Sequence, residues 1–262
     1  MSDTGLKVEI DGGVARLTLA RPEIHNAFDD TVIAAFSEAL DRVANDAAVR
    51  VVIVAGEGKS FSAGADLEWM RRMADYGEAE NLADARALAA MLRALNELPK
   101  PTIARVQGAA FGGGVGLVAC CDIAVASQTA IFCLSEARLG LTPSTIGPYV
   151  VAAMGAHNAR RYFLTAERFD GAAAERAGLV HMVTAPDQLD STIDGLVETL
   201  LQNGPAAMAE CKGLIRNVAR GPVDEAMIEG TAQHIARVRA SAEGREGIRA
   251  FLEKTVPAWQ NK

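Results

Sequence analysis

Two junctions constrain this chain more than any other feature: FSAGADL at residues 61–67 and AAFGGGVGL at residues 109–117. In each, an apolar strand-like lead runs through glycine into an apolar, helix-like continuation. Glycine costs conformational entropy in such surroundings, so the backbone itself must be needed there. A helix that begins on glycine offers unpaired N–H groups, the positive end of its dipole and room for a ligand against the main chain. Two such ends aimed at one point would stabilise a developing oxyanion. Taken alone, either motif is explained as well by tight helix–strand packing. The triple glycine is not a phosphate loop, because no GKS/T follows it and GxGxxG is absent.

The segments around the junctions repeat the order strand, strand, helix. LKVEI and VARLTLA flank the turn signal DGG, and VRVVIVAG is a third short β-branched run. Asn26 is expected to open a helix carrying Val32, Ile33, Phe36, Leu40 and Val43 on one face. EWMRRMADYGEAEN reads as a mobile helical or loop segment. Leu88, Met91, Leu92, Leu95 and Leu98 form the face of the next helix, up to Pro101. After Pro148 helical patterns dominate, including 206–219 and 222–255, and only LVHMV is extended. The expected architecture is α/β, with stacked ββα turns forming a core over 1–200. A helical region over 201–262 is expected to pack on that core and on neighbouring subunits.

With 33 acidic against 26 basic residues, the net charge of −7 argues against nucleic acid or an anionic membrane as partner. Cys120, Cys121, Cys133 and Cys211 lack metal-site spacing, and His25, His157, His181 and His234 are scattered. No metal is expected. No apolar segment of membrane-spanning length and no leader pattern is read, so the expected location is cytoplasmic.

RPEIHNAF, GKSFSAGADLEWM, KPTIARVQGAAFGGGVGLVACCDIAVAS, FCLSEARLGL and GLVHMV occur in this order. With EGREGIRAFLEK near the C-terminus, they resemble the enoyl-CoA hydratase/isomerase (crotonase) superfamily over nearly the whole chain. The resemblance implies a spiral of ββα turns and an acyl-CoA thioester substrate. It implies no separate cofactor, because coenzyme A enters with the substrate. It places oxyanion donors on the backbone N–H groups of Ala65 and Gly113. CoA contacts fall on Ala63, Gly64, Asp66 and Leu67, with Phe251 and Lys254 reaching CoA from a terminal helix, and trimers or hexamers as the assembly. Glu136 matches the second of two glutamates of typical hydratases, while the first is replaced by Gly116. Ser144 stands where the family has the first glycine of PGxGG. The reaction implied is hydration of a 2-enoyl-CoA. The likeness is greatest to bacterial hydratases of the methylglutaconyl-CoA or isohexenylglutaconyl-CoA type, of leucine and isoprenoid breakdown, in which Arg71, Arg72 or Arg138 would meet a second carboxylate. A Δ3,Δ2-enoyl-CoA isomerase is the alternative, and a non-catalytic binding protein of this fold is a third reading.

Overall fold

A computed structural model describes residues 4–219 and 221–260. The chain opens with the hairpin β1 (Leu6–Asp11) and β2 (Val14–Leu19), joined by Gly12 and Gly13, both with positive φ. Helix α1 (Asp30–Asn45) follows. Strands β3 (Val51–Gly56) and β4 (Ser60–Ser62) lead to α2 (Leu67–Ala74) and α3 (Glu78–Glu97). β5 (Thr102–Val106) and β6 (Ala109–Phe111) lead to α4 (Gly113–Cys120). β7 (Ile123–Ser127) and β8 (Ile131–Cys133) lead, through a 3-10 turn over Glu136–Leu139, to α5 (Gly147–Thr165). β9 (Phe169–Asp170), α6 (Gly171–Ala177), β10 (Met182–Thr184) and α7 (Leu189–Leu201) complete the layered part. The last helices are α8 (Pro205–Val218), α9 (Glu225–Ala240) and α10 (Ala242–Glu253).

The strands sort by their place in the repeat. The β1–β2 hairpin and the first strands of the later turns form a six-stranded sheet in the order β1-β2-β3-β5-β7-β10, parallel except for that hairpin. The second strands build a smaller sheet, β4-β6-β8-β9, in which β4–β6 and β6–β8 are parallel. The result is the expected spiral of ββα turns. Its core holds Phe36, Phe61, Phe132, Leu92, Leu95 and Leu117, all buried. Helix α4 is apolar all round and buried on nearly every residue, as a helix through the middle of a domain must be.

Local structure corrects one expectation and refines three. Asn26 does not open α1. Its backbone is left-handed at φ 56°, and its side chain accepts from Arg21 N at 2.9 Å and donates to the Glu57 and Ser60 carbonyls at 2.8 Å. Asp29 caps the helix instead, accepting from Val32 N at 3.0 Å. The polar stretch after FSAGADL is ordered as α2 and the start of α3, because Asp66 caps the first and Glu80 turns back onto Gly77 N, at 2.9 Å, at the start of the second. Two helical patterns after Pro148 join into α5, kinked at Gly155 (φ 72°). The 222–255 pattern is two helices, broken at Ser241, whose side chain caps α10.

Lys212 ties α8 to the layered part. Its buried ammonium reaches Asp122 Oδ2 at 2.6 Å and the Lys100 carbonyl at 3.0 Å. Arg50 donates to the carbonyls of Asn203 at 2.7 Å and Trp259 at 3.1 Å.

Candidate active site

The two glycine junctions meet. β4 and β6 are parallel neighbours, so the segments that leave them lie side by side. Gly64 has φ +85°, and a Cβ on it would sit 2.7 Å from the Phe111 carbonyl and 3.3 Å from Gly113 N. A Cβ on Gly113 would stand 2.5 Å from Phe28 Cζ. Only glycine permits this approach at either position.

The same packing leaves two amides unused. The Gly64 carbonyl accepts from Phe28 N at 2.8 Å, and Asp66 N donates to the Phe28 carbonyl at 3.0 Å. Ala65 N–H, between these two bonds, finds no acceptor among the described residues, and neither does Gly113 N–H in the first turn of α4. Ala65 and Gly113 both line a cavity of ≈ 340 Å³, together with Phe28, Trp69, Glu136 and Ile146.

Glu136 starts the 3-10 turn after β8, and its Oε2 is buried without a hydrogen-bond partner. Its Oε1 lies 3.2 Å from where a Cβ on Gly112 would be. Burial pushes the carboxyl above its ordinary value of 4.5. Such a group exchanges protons more readily near neutrality than a solvated carboxylate does.

The remaining predicted positions separate into near and remote. Asp66 works inside the fold: its carboxylate caps α2, accepting from Glu68 N at 2.8 Å and Trp69 N at 3.1 Å, and pairs with Arg21 at 3.4 Å. Ala63 N–H is spent on the His25 carbonyl at 2.9 Å. Leu67, the first residue of α2, is 70% exposed. Ser144 lines the cavity and shares a hydroxyl hydrogen bond with Thr142 at 2.6 Å. Phe251, 83% exposed, and Lys254, the left-handed cap of α10, do not line it. Nor do the arginines expected to meet a second carboxylate. Arg71 pairs with Glu68, Arg72 pairs with Asp30 at 2.5 Å, and Arg138 is exposed.

Of the lining residues that the sequence reading does not assign to the site, three bear on its chemistry. Ile146 fills the space beside Gly116, where an added Cβ would collide with Ile146 Cγ2 and lie 2.8 Å from its Cβ. Asp84 lines the cavity with Oδ2 buried and unpartnered. Trp69 lines it with a buried indole N–H that likewise lacks a partner. The signal for Asp84 was its register: Asp84, Leu88 and Leu92 follow i, i+4, i+8, which puts a carboxylate on the apolar stripe of α3. Among the described residues no group of His, Cys, Asp and Glu could hold a metal ion, and no helix is long and apolar enough to cross a membrane.

Comparison with known proteins identifies the family. The enoyl-CoA hydratase/isomerase family model matches residues 9–262. The crystal structure of an enoyl-CoA hydratase from Shewanella pealeana superposes with a TM-score of 0.95 at 43% identity, covering 99% of this chain and 100% of that one. An enoyl-CoA hydratase of Alternaria alternata, AKT6-1, is 32% identical over 94% of this chain and 84% of its own length. A carnitinyl-CoA dehydratase of Salmonella typhi is 33% identical over 96% and 97%. With a family match over almost its full length and the crotonase fold of its structural relatives, the chain belongs to the enoyl-CoA hydratase/isomerase family, whose members act on acyl-CoA.

Proposed function

We propose that the chain is a hydratase that adds water across the 2,3 double bond of an enoyl-CoA. One observation carries the reading: two unpaired main-chain N–H groups, Ala65 and Gly113, and one desolvated carboxyl, Glu136, share one cavity. The thioester oxygen is received by the two N–H groups. Water attacks C3 as Glu136 takes one of its protons, and the electron pair of the double bond moves onto the thioester oxygen. The enolate collapses as C2 takes a proton from the Glu136 carboxyl, which restores the carboxylate. Each amide supplies roughly 3 kcal/mol to the charged intermediate and little to the ground state. Coenzyme A serves as the handle of the substrate, and no resident cofactor takes part.

Methylglutaconyl-CoA is the individual substrate that the sequence likeness brings forward. A second reading, double-bond isomerisation, is favoured by the apolar Ile146 where a second acid–base side chain from Gly116 would stand. It uses the same amides and the same glutamate to move one proton along the chain. Turnover of purified protein in H₂¹⁸O separates the two: a hydratase places ¹⁸O at C3, and an isomerase incorporates none. We further infer that the protein acts in the cytoplasm as a trimer or hexamer. The apolar residues left exposed on the last helices, among them Ile215, Ile228, Phe251 and Leu252, support the assembly.

A further inference from the structure

We propose that the far end of the cavity holds an oxygen function bearing a hydrogen on the acyl chain, placed between the Asp84 carboxylate and the Trp69 indole N–H. The group is an alcohol, or a carboxyl that carries its proton. This rests on the acyl-CoA reading given above and adds the class of acyl group.

Beyond Glu136 Oε2 and the two main-chain amides already given to the reaction, the cavity wall contains one orphaned acceptor and one orphaned donor. Asp84 Oδ2 and Trp69 Nε1 are both buried, both lack a protein partner and both belong to residues lining the cavity. Trp69 is only 3% exposed, so bulk water does not serve its N–H. Asp84 stands apart from the reacting end of the cavity. Leu92, on the same stripe of α3, has its Cδ2 3.7 Å from the point where a Gly116 side chain would start. Asp84 lies eight residues earlier, about 12 Å along the helix axis. Between them stands Leu88, also in the wall.

A plain hydrocarbon chain filling this end would cover a donor and an acceptor without pairing either, which sites of this kind penalise heavily. A hydroxyl satisfies both at once, accepting from Trp69 and donating to Asp84. An ionised carboxyl does not fit as such. The cavity lining contains no Lys, Arg or His and already holds Asp84 and Glu136. A carboxyl that carries its own proton presents the same O–H and again makes an O–H···O contact with Asp84.

The test is calorimetric binding of three unreactive thioesters of equal length: hexanoyl-CoA, 6-hydroxyhexanoyl-CoA and adipyl-CoA. The wild-type protein is expected to bind at least one oxygen-bearing thioester ten times or more tighter than hexanoyl-CoA, and the tighter of the two identifies the source of the O–H. Asp84→Ala and Trp69→Phe should each erase that preference, with hexanoyl-CoA binding tighter once one unpaired polar group fewer is covered, and circular dichroism reports that the variants are folded. Equal binding of all three by the wild type, or a preference that survives in both variants, overturns the inference and leaves the acyl-CoA reading standing. If no thioester binds, both fail together.

Discussion

Ile146 occupies the space into which any side chain at Gly116 would grow. The two are a matched pair: a glycine on the buried face of α4 and a branched side chain leading into α5. Gly116→Ala should therefore destabilise the protein by about 1–3 kcal/mol in urea titration, the usual penalty for overpacking. In an Ile146→Ala background the same change should cost less, and strictly additive penalties would show that the residues do not compete for space. Gly116→Glu, the substitution that would supply a second glutamate, should fail to raise hydration, since Ile146 already fills the space its side chain needs.

Glu136 makes a prediction with a sign. Its folded-state pKa lies above the ordinary value of 4.5 because the ionised carboxyl is desolvated. Below that ordinary value the group is protonated in both folded and unfolded chains and contributes nothing. As pH rises through the window up to the folded pKa, the unfolded chain gives up its proton first and stability is lost. Glu136→Gln should thus match the wild type in acid and exceed it in stability at neutral pH. Turnover by the same variant should fall by roughly 10²–10⁴. A variant that hydrates normally would place the acid–base group elsewhere.

The unpaired amide of Ala65 can be removed without touching its neighbours' bonds, because Phe28 pairs with Gly64 and Asp66 on either side. Ala65→Pro is expected to lower kcat by roughly 10²–10³ with the fold intact by circular dichroism, whereas Ala65→Gly should keep most activity. Wild-type turnover in the folded proline variant would remove Ala65 from the mechanism.

The exposed apolar residues of α8, α9 and α10 should be covered in solution. Light scattering at micromolar concentration is expected to return three or six times the 27.6 kDa chain mass. A monomer mass would leave those helices without the neighbours proposed for them.

The parts of the structure legible in the sequence are those where one residue type has one physical use. Gly64 and Gly113 could be read because a left-handed turn and a close backbone approach exclude side chains. The alternating strand runs were readable for the same reason. Asn26 was misread because three cap-forming residues, Asn26, Asp29 and Asp30, lie within five positions, and only the tertiary bonds to Glu57 and Ser60 decide among them. Asp84 was passed over because a stripe of leucines reads as core. What makes its carboxylate notable is a void between α3 and the 141–146 loop, and no local pattern encodes a void.

The pairing of β4 with β6 has a metrical consequence. Neighbouring parallel strands lie about 4.8 Å apart, and the segments carrying Ala65 and Gly113 leave these two strands within three residues of their ends. The gap between the proposed donors is thus gauged by the hydrogen-bond ladder of the backbone, which substitutions leave alone. The walls around the acyl chain, on α3 and the 141–146 loop, stand outside that ladder. They are free to diverge from relative to relative without recalibrating the seat of the thioester, so one chassis can serve many acyl groups.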